Sequence, residues 1–413
     1  MTEVRTRSGA ATVPIPDSGD VAFLDVLAPG FGFDTDEVAR AQARNWYAET
    51  PLGHLVLRYA EAQELVRDNR MVHDGHAFMA QNGITEGPTY DWFVDAIVNH
   101  DGAEHRRLRS LVNKAFTPRM VANLQPLIAR TARELAEELA ARDECEFIEE
   151  FADKLPLAVM TELLGVPAED FPTFGAWSAD VGLVFSLALG GDIPARVEAA
   201  VTGLYGYVDG LMADKRKHPT EDLISALVRA QDENPGMVSH DELRNLVVTM
   251  VFAAHDTTRL QLTNAMHTFA RHPDQWRLLG EHPELAPQAV EEVMRWCPSS
   301  NAVFRNAGQD LDFHGLRLPR GTMLMIGVQA THRDPRAYPG GEVFDISVPR
   351  DAPVLQFGGG PHYCLGAPLA RLELGEALPA LATRLAPPVI NGPVSWRPAI
   401  GIYGPNELPL RFG

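Results

Sequence analysis

The segment Ser239–Arg271 constrains the fold more than any other part of the chain. It is the longest stretch of unbroken helical spacing: Leu243, Leu246, Val247, Met250 and Ala254 mark one apolar face, and no glycine or proline falls within it. At 1.5 Å per residue such a helix runs ~45 Å, longer than a small domain is wide. The flanking sequence supplies further helical patterns. Met120–Ala141 repeats Leu124, Leu127, Ile128, Ala132, Leu135 and Leu139. Others cover Ala39–Ala48, Tyr59–Asp68, Ala103–Phe116, about 150–165, 168–188, 193–215, 221–232, 274–280 and 285–296, and finally Leu365–Leu385. Pro51–Arg58 reads as a strand. Between about 300 and 360 short apolar runs, Phe313–Leu318 and Met323–Val328, alternate with Pro/Gly turns, which reads as a small β region. Met71–Gly102 is irregular, broken by Gly75, Gly83, Gly87 and Pro88, yet Phe78, Met79, Tyr90, Trp92 and Phe93 argue against disorder. No linker or repeat divides the chain. The expectation is a single, mainly α domain over residues 1–413 with a smaller β-containing lobe, residues 1–20 forming a loose arm.

Composition bounds the function classes. Lys+Arg is 36 and Asp+Glu 55, a net charge of −19. Phosphate contacts would be repulsive for such a chain, so neither nucleic acid nor an anionic membrane is an expected partner. Three cysteines, Cys145, Cys297 and Cys364, are too few and too far apart for a disulfide framework or a zinc site and suit a reducing compartment. The N-terminus lacks a signal-peptide apolar region. The apolar stretches near 155–166 and 181–189 fall short of the ~20 residues that span a bilayer. A soluble, cytoplasmic monomer is expected.

The chemistry concentrates in Phe357–Gly366, FGGGPHYCLG. Three glycines and a proline precede Cys364, and a helix begins just after it. Glycine allows a tight, closely approached backbone. A helix N-terminus offers unpaired N–H groups that favour thiolate. The sulfur is thus placed as a ligand or a nucleophile; the bland alternative is a buried small residue. A phosphate-binding loop is discounted because no Lys-Ser/Thr follows the glycines.

These residues resemble the F-x-x-G-x-x-x-C-x-G haem-ligand loop of the cytochrome P-450 family, with Phe357, Gly360, Cys364 and Gly366 in its four fixed places. Glu292–Arg295 matches the family's E-x-x-R. Ala253-Ala-His-Asp-Thr-Thr258 resembles the A-G-x-D-T-T segment of its long central helix. The resemblance implies the cytochrome P-450 fold and haem b, with Cys364 as the axial thiolate that favours O–O cleavage. Phe357 would pack by the sulfur, and Gly360 and Gly366 would admit the porphyrin. Asp256 and Thr257 would deliver protons as general acids; read without the resemblance, Thr257 back-bonds to an i−4 carbonyl and Asp256 pairs with a cation such as Arg259. Ala254 stands where the family usually has glycine. His255 is expected to be packed or solvated rather than a ligand.

By the same resemblance His105 and Arg109, four apart on one helix face, match a propionate contact. Arg305 and His362 match two more. Val354 stands where the family often has a propionate-binding histidine, so that contact is absent or supplied elsewhere. Glu292 and Arg295 are expected to be structural, with Arg350 a candidate third member.

The resemblance implies a haem-thiolate monooxygenase that inserts one atom of O2 into a hydrophobic small molecule, by hydroxylation or oxidative demethylation. No flavin or nicotinamide domain fits in the chain, so a separate ferredoxin-type donor is expected. Arg106, Arg107, Arg109, Lys114 and Arg119 are a local basic cluster that could steer it, or ordinary surface charge. The alternatives are oxidative coupling, peroxide-driven chemistry, a haem sensor or carrier without turnover, or a nucleotide-binding enzyme. Mapped from the family, the substrate pocket takes Trp92, Phe93, Val94, Met250, Ala254, Asn301, Val303, Phe304, Ile402 and Tyr403. That lining suits a hydrophobic, ring-containing ligand with Asn301 and Tyr403 as polar groups.

Overall fold

A computed structural model describes residues 20–186 and 191–412. The expected arm over residues 1–20 and the end of the helical pattern at 168–188 fall largely outside the described residues. The helix His240–Arg271 forms as the spacing predicts and is mostly buried. Its start is fixed by a reciprocal cap: the Ser239 hydroxyl accepts from the Glu242 N–H, and the Glu242 carboxylate accepts from the Ser239 N–H. Helices Lys154–Leu164, Phe171–Gly182 and Ile193–Lys217 pack along it. The last helix, Ala367–Ala382, lies against Pro118–Ala140 and Ala286–Trp296 and also touches the central helix. One core runs through this array.

Ten strands make three small sheets among the described residues. The largest comprises β1 (Tyr47–Thr50), β2 (Gly53–Val56), β3 (Met71–Val72), β5 (Ala302–Ala307) and β8 (Met323–Gly327), in the order β1-β2-β8-β5-β3. β2 and β8 are parallel and the other neighbours antiparallel. β4 (Glu144–Glu146), β10 (Pro409–Phe412) and β9 (Pro388–Ile390) form a second sheet. β6 (Leu311–Phe313) and β7 (Leu316–Leu318) form a hairpin through His314 and Gly315, both at positive φ, as a two-residue turn requires.

The mainly α class with a smaller β region agrees with expectation; the boundaries differ in three places. Residues 47 and 48, expected to end a helix, are in β1: the helix stops at Arg44, and pairing with β2 buries Ala48. Gly53 lets β8 come close to β2, since a Cβ there would lie 2.3 Å from the Met323 carbonyl oxygen. The irregular stretch 71–102 contains β3 and the short helices Gly75–Gln81 and Pro88–Val94, held by burial of Phe78, Met79, Trp92 and Phe93. The run Phe313–Leu318 is not one strand but parts of two.

Candidate functional site

Cys364 closes the glycine loop one turn before the helix Ala367–Ala382. Its N–H donates to the Phe357 carbonyl at 2.9 Å, which folds the loop back on itself. Gly358 and Gly360 adopt left-handed φ of 67° and 61°. A Cβ on Gly360 would meet the backbone of Val66 and Arg67, so this glycine also lets that segment pack closely on the loop. Gly366 is different: a Cβ there would meet only Cys364 Sγ, at 3.9 Å. The Phe357 ring is covered by the Arg371 guanidinium, 4.6 Å from its centroid.

The three thiols separate clearly. Burial pushes Cys145 and Cys297 up to about 12, and both lie in the core. Cys364 has open space at its surface although it lies deep in the protein. Burial raises its pKa, and the N–H groups of Gly366 and Ala367 with Arg109 and Arg371 pull the other way without overcoming it. The lowered pKa expected from the helix terminus is therefore not met by the chain alone: desolvation wins.

Beside the loop the structure gathers two arginines and two histidines around a single carboxylate, Asp101. Arg305 is almost fully buried, and no carboxylate pairs with it among the described residues. Burial lowers its pKa to about 10. His105 is buried, and its ring lies 4.0 Å from that of His362. Burial, then the neighbouring His362 and Arg109, lower its pKa to about 4. His362 Nε2 is 2.9 Å from Asp101 Oδ1, and Arg109 donates to the Tyr363 carbonyl at 2.7 Å. All four expected propionate residues thus surround one end of the cysteine loop. A buried guanidinium without a counterion is costly, and a carboxylate-bearing group would relieve it. An open deep thiol, a Cβ-free position beside it and an unpaired buried arginine fit haem.

The central helix carries an open stripe of its own. Thr249, Met250, Ala253, Ala254 and Thr257 recur at helical spacing and are exposed or half-buried, although most of that helix is buried. The Thr257 hydroxyl donates to the Ala253 carbonyl at 2.9 Å. Asp256 points elsewhere and is fully buried. Arg259 donates to it at 2.7 Å and Arg397 at 2.6 and 3.0 Å. Burial opposes its ionisation, but the two guanidiniums hold its pKa at about 2. His255 is buried on the side of Asp153, 3.4 Å from its carboxylate. Glu292 and Arg295 form a buried bidentate pair at 2.7 Å that also receives Arg350 at 3.4 Å.

The residues mapped to the pocket divide. Phe93, Trp92 and Phe304 belong to one set of aromatic contacts. Phe78 stacks on Phe93 at 5.0 Å and meets Phe304 at 5.4 Å. Phe93 meets Phe185 at 5.6 Å, and Phe185 stacks on Phe252 at 5.7 Å. Trp92 touches both Phe93 and Phe252. Val94, Met250 and Ala254 are half-buried near this set, and Ile402 packs on the same core. Val303 is on the opposite face of β5 and packs with the Trp46 cluster instead. Asn301 is fully buried, its amide 3.5 Å from Gln329, and Tyr403 stacks on Trp396.

Sequence reasoning missed His73, Asp101, Arg397 and Glu373. Glu373 had a signal: it occupies the i+4 stripe Leu369, Glu373, Ala377, Leu381 on an apolar face. The other three had none.

A family model for cytochrome P-450 matches residues 208–384. The chain is 45% identical to the luteothin monooxygenase of Streptomyces thioluteus over 399 residues, 96% of this chain and 98% of that one. It is 31% identical over 384 residues to the polyketide biosynthesis cytochrome P-450 PksS of Bacillus subtilis, 91% of this chain and 93% of that one. Among solved structures, CalO2 aligns with a TM-score of 0.83 at 31% identity, over 93% of this chain and 98% of that one.

Proposed function

The chain belongs to the cytochrome P-450 family, whose members it matches as a haem-dependent monooxygenase, and from that membership we propose that it oxygenates a hydrophobic, ring-containing molecule of the polyketide kind. The overall change is RH + O2 + 2e⁻ + 2H⁺ → ROH + H2O. Haem b, ligated by Cys364, supplies the oxygen-atom transfer when bound. Cys364 would be its ligand. Arg305 and Arg109 would neutralise its propionates, and His105 and His362 would offer them ring N–H groups. Thr257, at the open stripe of the central helix, holds and passes a proton where O2 is reduced. Asp256 is braced by Arg259 and Arg397 behind that stripe.

The observation that carries the haem reading is the deep, open thiol of Cys364 in the same region of the molecule as Arg305, a buried guanidinium with no carboxylate bonded to it and linked to the cysteine loop through His73 and His362. The substrate reading rests on the aromatic set Phe78, Trp92, Phe93, Phe185, Phe252 and Phe304. Such a wall favours flat or ring-bearing ligands over a linear chain. The names of two relatives, a luteothin monooxygenase and a polyketide biosynthesis enzyme, support the same class.

The electrons come from a separate protein, which we take to be a ferredoxin. Of the basic cluster, Arg107 is tied to Glu104, Glu242 and the Met237 carbonyl, and Arg109 to the cysteine loop. Arg106, Lys114 and Arg119 remain exposed to meet an acidic partner. A monomeric, cytoplasmic protein completes the proposal; no helix among the described residues is long and apolar enough to cross a membrane.

The test is a binding screen that follows the low-spin to high-spin change of the haem. Cyclic and polyketide-like compounds should give saturable shifts and fatty acids weak ones. Tight shifts with fatty acids and none with cyclic compounds would overturn the substrate assignment.

A further inference from the structure

We propose that His73 is a haem-positioning residue: it fixes the guanidinium of Arg305 in the direction from which that group meets a propionate. This inference rests on the haem-thiolate reading and adds to it a residue outside the family's sequence motifs quoted above.

The geometry starts from Arg305. Its Nη1 lies 2.6 Å from His73 Nε2 and 2.8 Å from the Phe304 carbonyl. A guanidinium can only donate, so His73 Nε2 accepts, and the ring proton of the neutral imidazole sits on Nδ1. The neutral form is the one expected here, because burial lowers the His73 pKa to about 4. His73 Nδ1 has no hydrogen-bond partner, but it faces the Asp101 carboxylate at 3.8 Å. The backbone around the ring is also pinned, since the His73 N–H donates to Asp101 Oδ2 at 2.9 Å. Burial would raise the pKa of Asp101, but the neighbouring His362 and His73 hold it well below the ordinary range. One carboxylate therefore organises two imidazoles, whose rings lie 4.1 Å apart. His362 is turned by a direct hydrogen bond, and His73 by its backbone.

The consequence falls on Arg305. With Nη1 occupied by His73 and Phe304, rotation of the guanidinium about its long axis is blocked. Its other donors are left for an anion. Valine at position 354 removes a histidine contact that the family often supplies. His73, reaching the site from β3 on the edge of the sheet, compensates by ordering the arginine instead of touching the propionate.

Three variants of the haem-loaded protein test this: His73→Gln, whose Oε1 can reach the position of Nε2; His73→Phe, which fills the space without an acceptor; and His73→Ala, which cannot overpack the site if the phenylalanine variant fails to fold. Haem transfer to excess apomyoglobin and the ferric/ferrous midpoint potential are measured for each. His73→Phe and His73→Ala should lose haem on the order of tenfold faster, the scale of one hydrogen bond to a charged group. Their potentials should fall, because a less well neutralised propionate favours the ferric state. His73→Gln should stay within about twofold of the parent on both readouts. If all three variants keep parental rates and potentials, or if glutamine is as impaired as phenylalanine, the proposal is overturned. The carbon monoxide spectrum of the reduced parent separates the two levels. A parent without the thiolate-type band removes the haem-thiolate reading and this inference together, whereas a parent with it leaves the outcome to His73 alone.

Discussion

Thr257 and Asp256 are neighbours in sequence with opposite surroundings. Thr257 faces open space, and its hydroxyl spends its hydrogen bond on the helix itself, at the Ala253 carbonyl. That bond is easily lost, since threonine is a weak helix former and alanine a strong one. Thr257→Ala should therefore keep the fold, the haem and substrate affinity, and lose only the proton donor. Product formed per electron pair should drop several-fold while hydrogen peroxide rises in proportion, measured as product and peroxide against reductant consumed; unchanged coupling would assign proton delivery to another group. Asp256 is a structural anion as well as a candidate relay. Its pKa of about 2 lies below the unfolded value near 3.8, so its stabilisation, about 2 kcal/mol, is present above pH ~4 and lost as pH falls through 2. The Asp-Thr pair was singled out through the resemblance; its own surroundings suggested only the back-bond of Thr257 and the pairing of Asp256 with Arg259. The other partner of Asp256, Arg397, was not legible: it is 141 residues away, and nothing in its own neighbourhood marks it. The contact between His73 and Arg305, 232 residues apart, was hidden in the same way, although the resemblance named Arg305 itself.

Elements were legible wherever periodicity was long. The central helix, Pro118–Ala140 and Ala286–Trp296 all fall within a few residues of expectation. Short elements were decided by tertiary pairing: β1 overrides a helical pattern at residues 47 and 48, and β3 is only two residues long. The helix Ala367–Ala382, which anchors the cysteine loop, carries its own liability. Glu373 is buried with one oxygen unpartnered, and burial raises its pKa to about 8. Its folded pKa lies above the unfolded value of 4.5, so stability is fully present below pH ~4.5 and is lost as pH rises through 8. Glu373→Gln, neutral at every pH, should stay close to the parent near pH 4.5 and exceed it by roughly 4 kcal/mol at pH 8. Melting of both haem-loaded proteins across that range checks this, and a difference that does not grow with pH would show that Glu373 finds a partner in the loaded protein.

At the scale of the whole molecule, the class was readable from one sequence, but the sheet topology was not. The largest sheet joins residues 47–72 to residues 302–327, and no local pattern encodes which strands meet. The acidic balance of −19 is a property of the entire surface, and the exposed Arg106, Lys114 and Arg119 stand out against it. The proposed function nevertheless depends on one sulfur. The most direct measurement is the absorption spectrum of the reduced, carbon monoxide-bound protein, taken for the parent, Cys364→Ser and the double variant Cys145→Ser/Cys297→Ser. The parent and the double variant should show the red-shifted band of thiolate-ligated haem, because both other thiols are buried and kept protonated, and Cys364→Ser should lack it. A band that survives Cys364→Ser, or disappears with Cys145 and Cys297, would contradict the account.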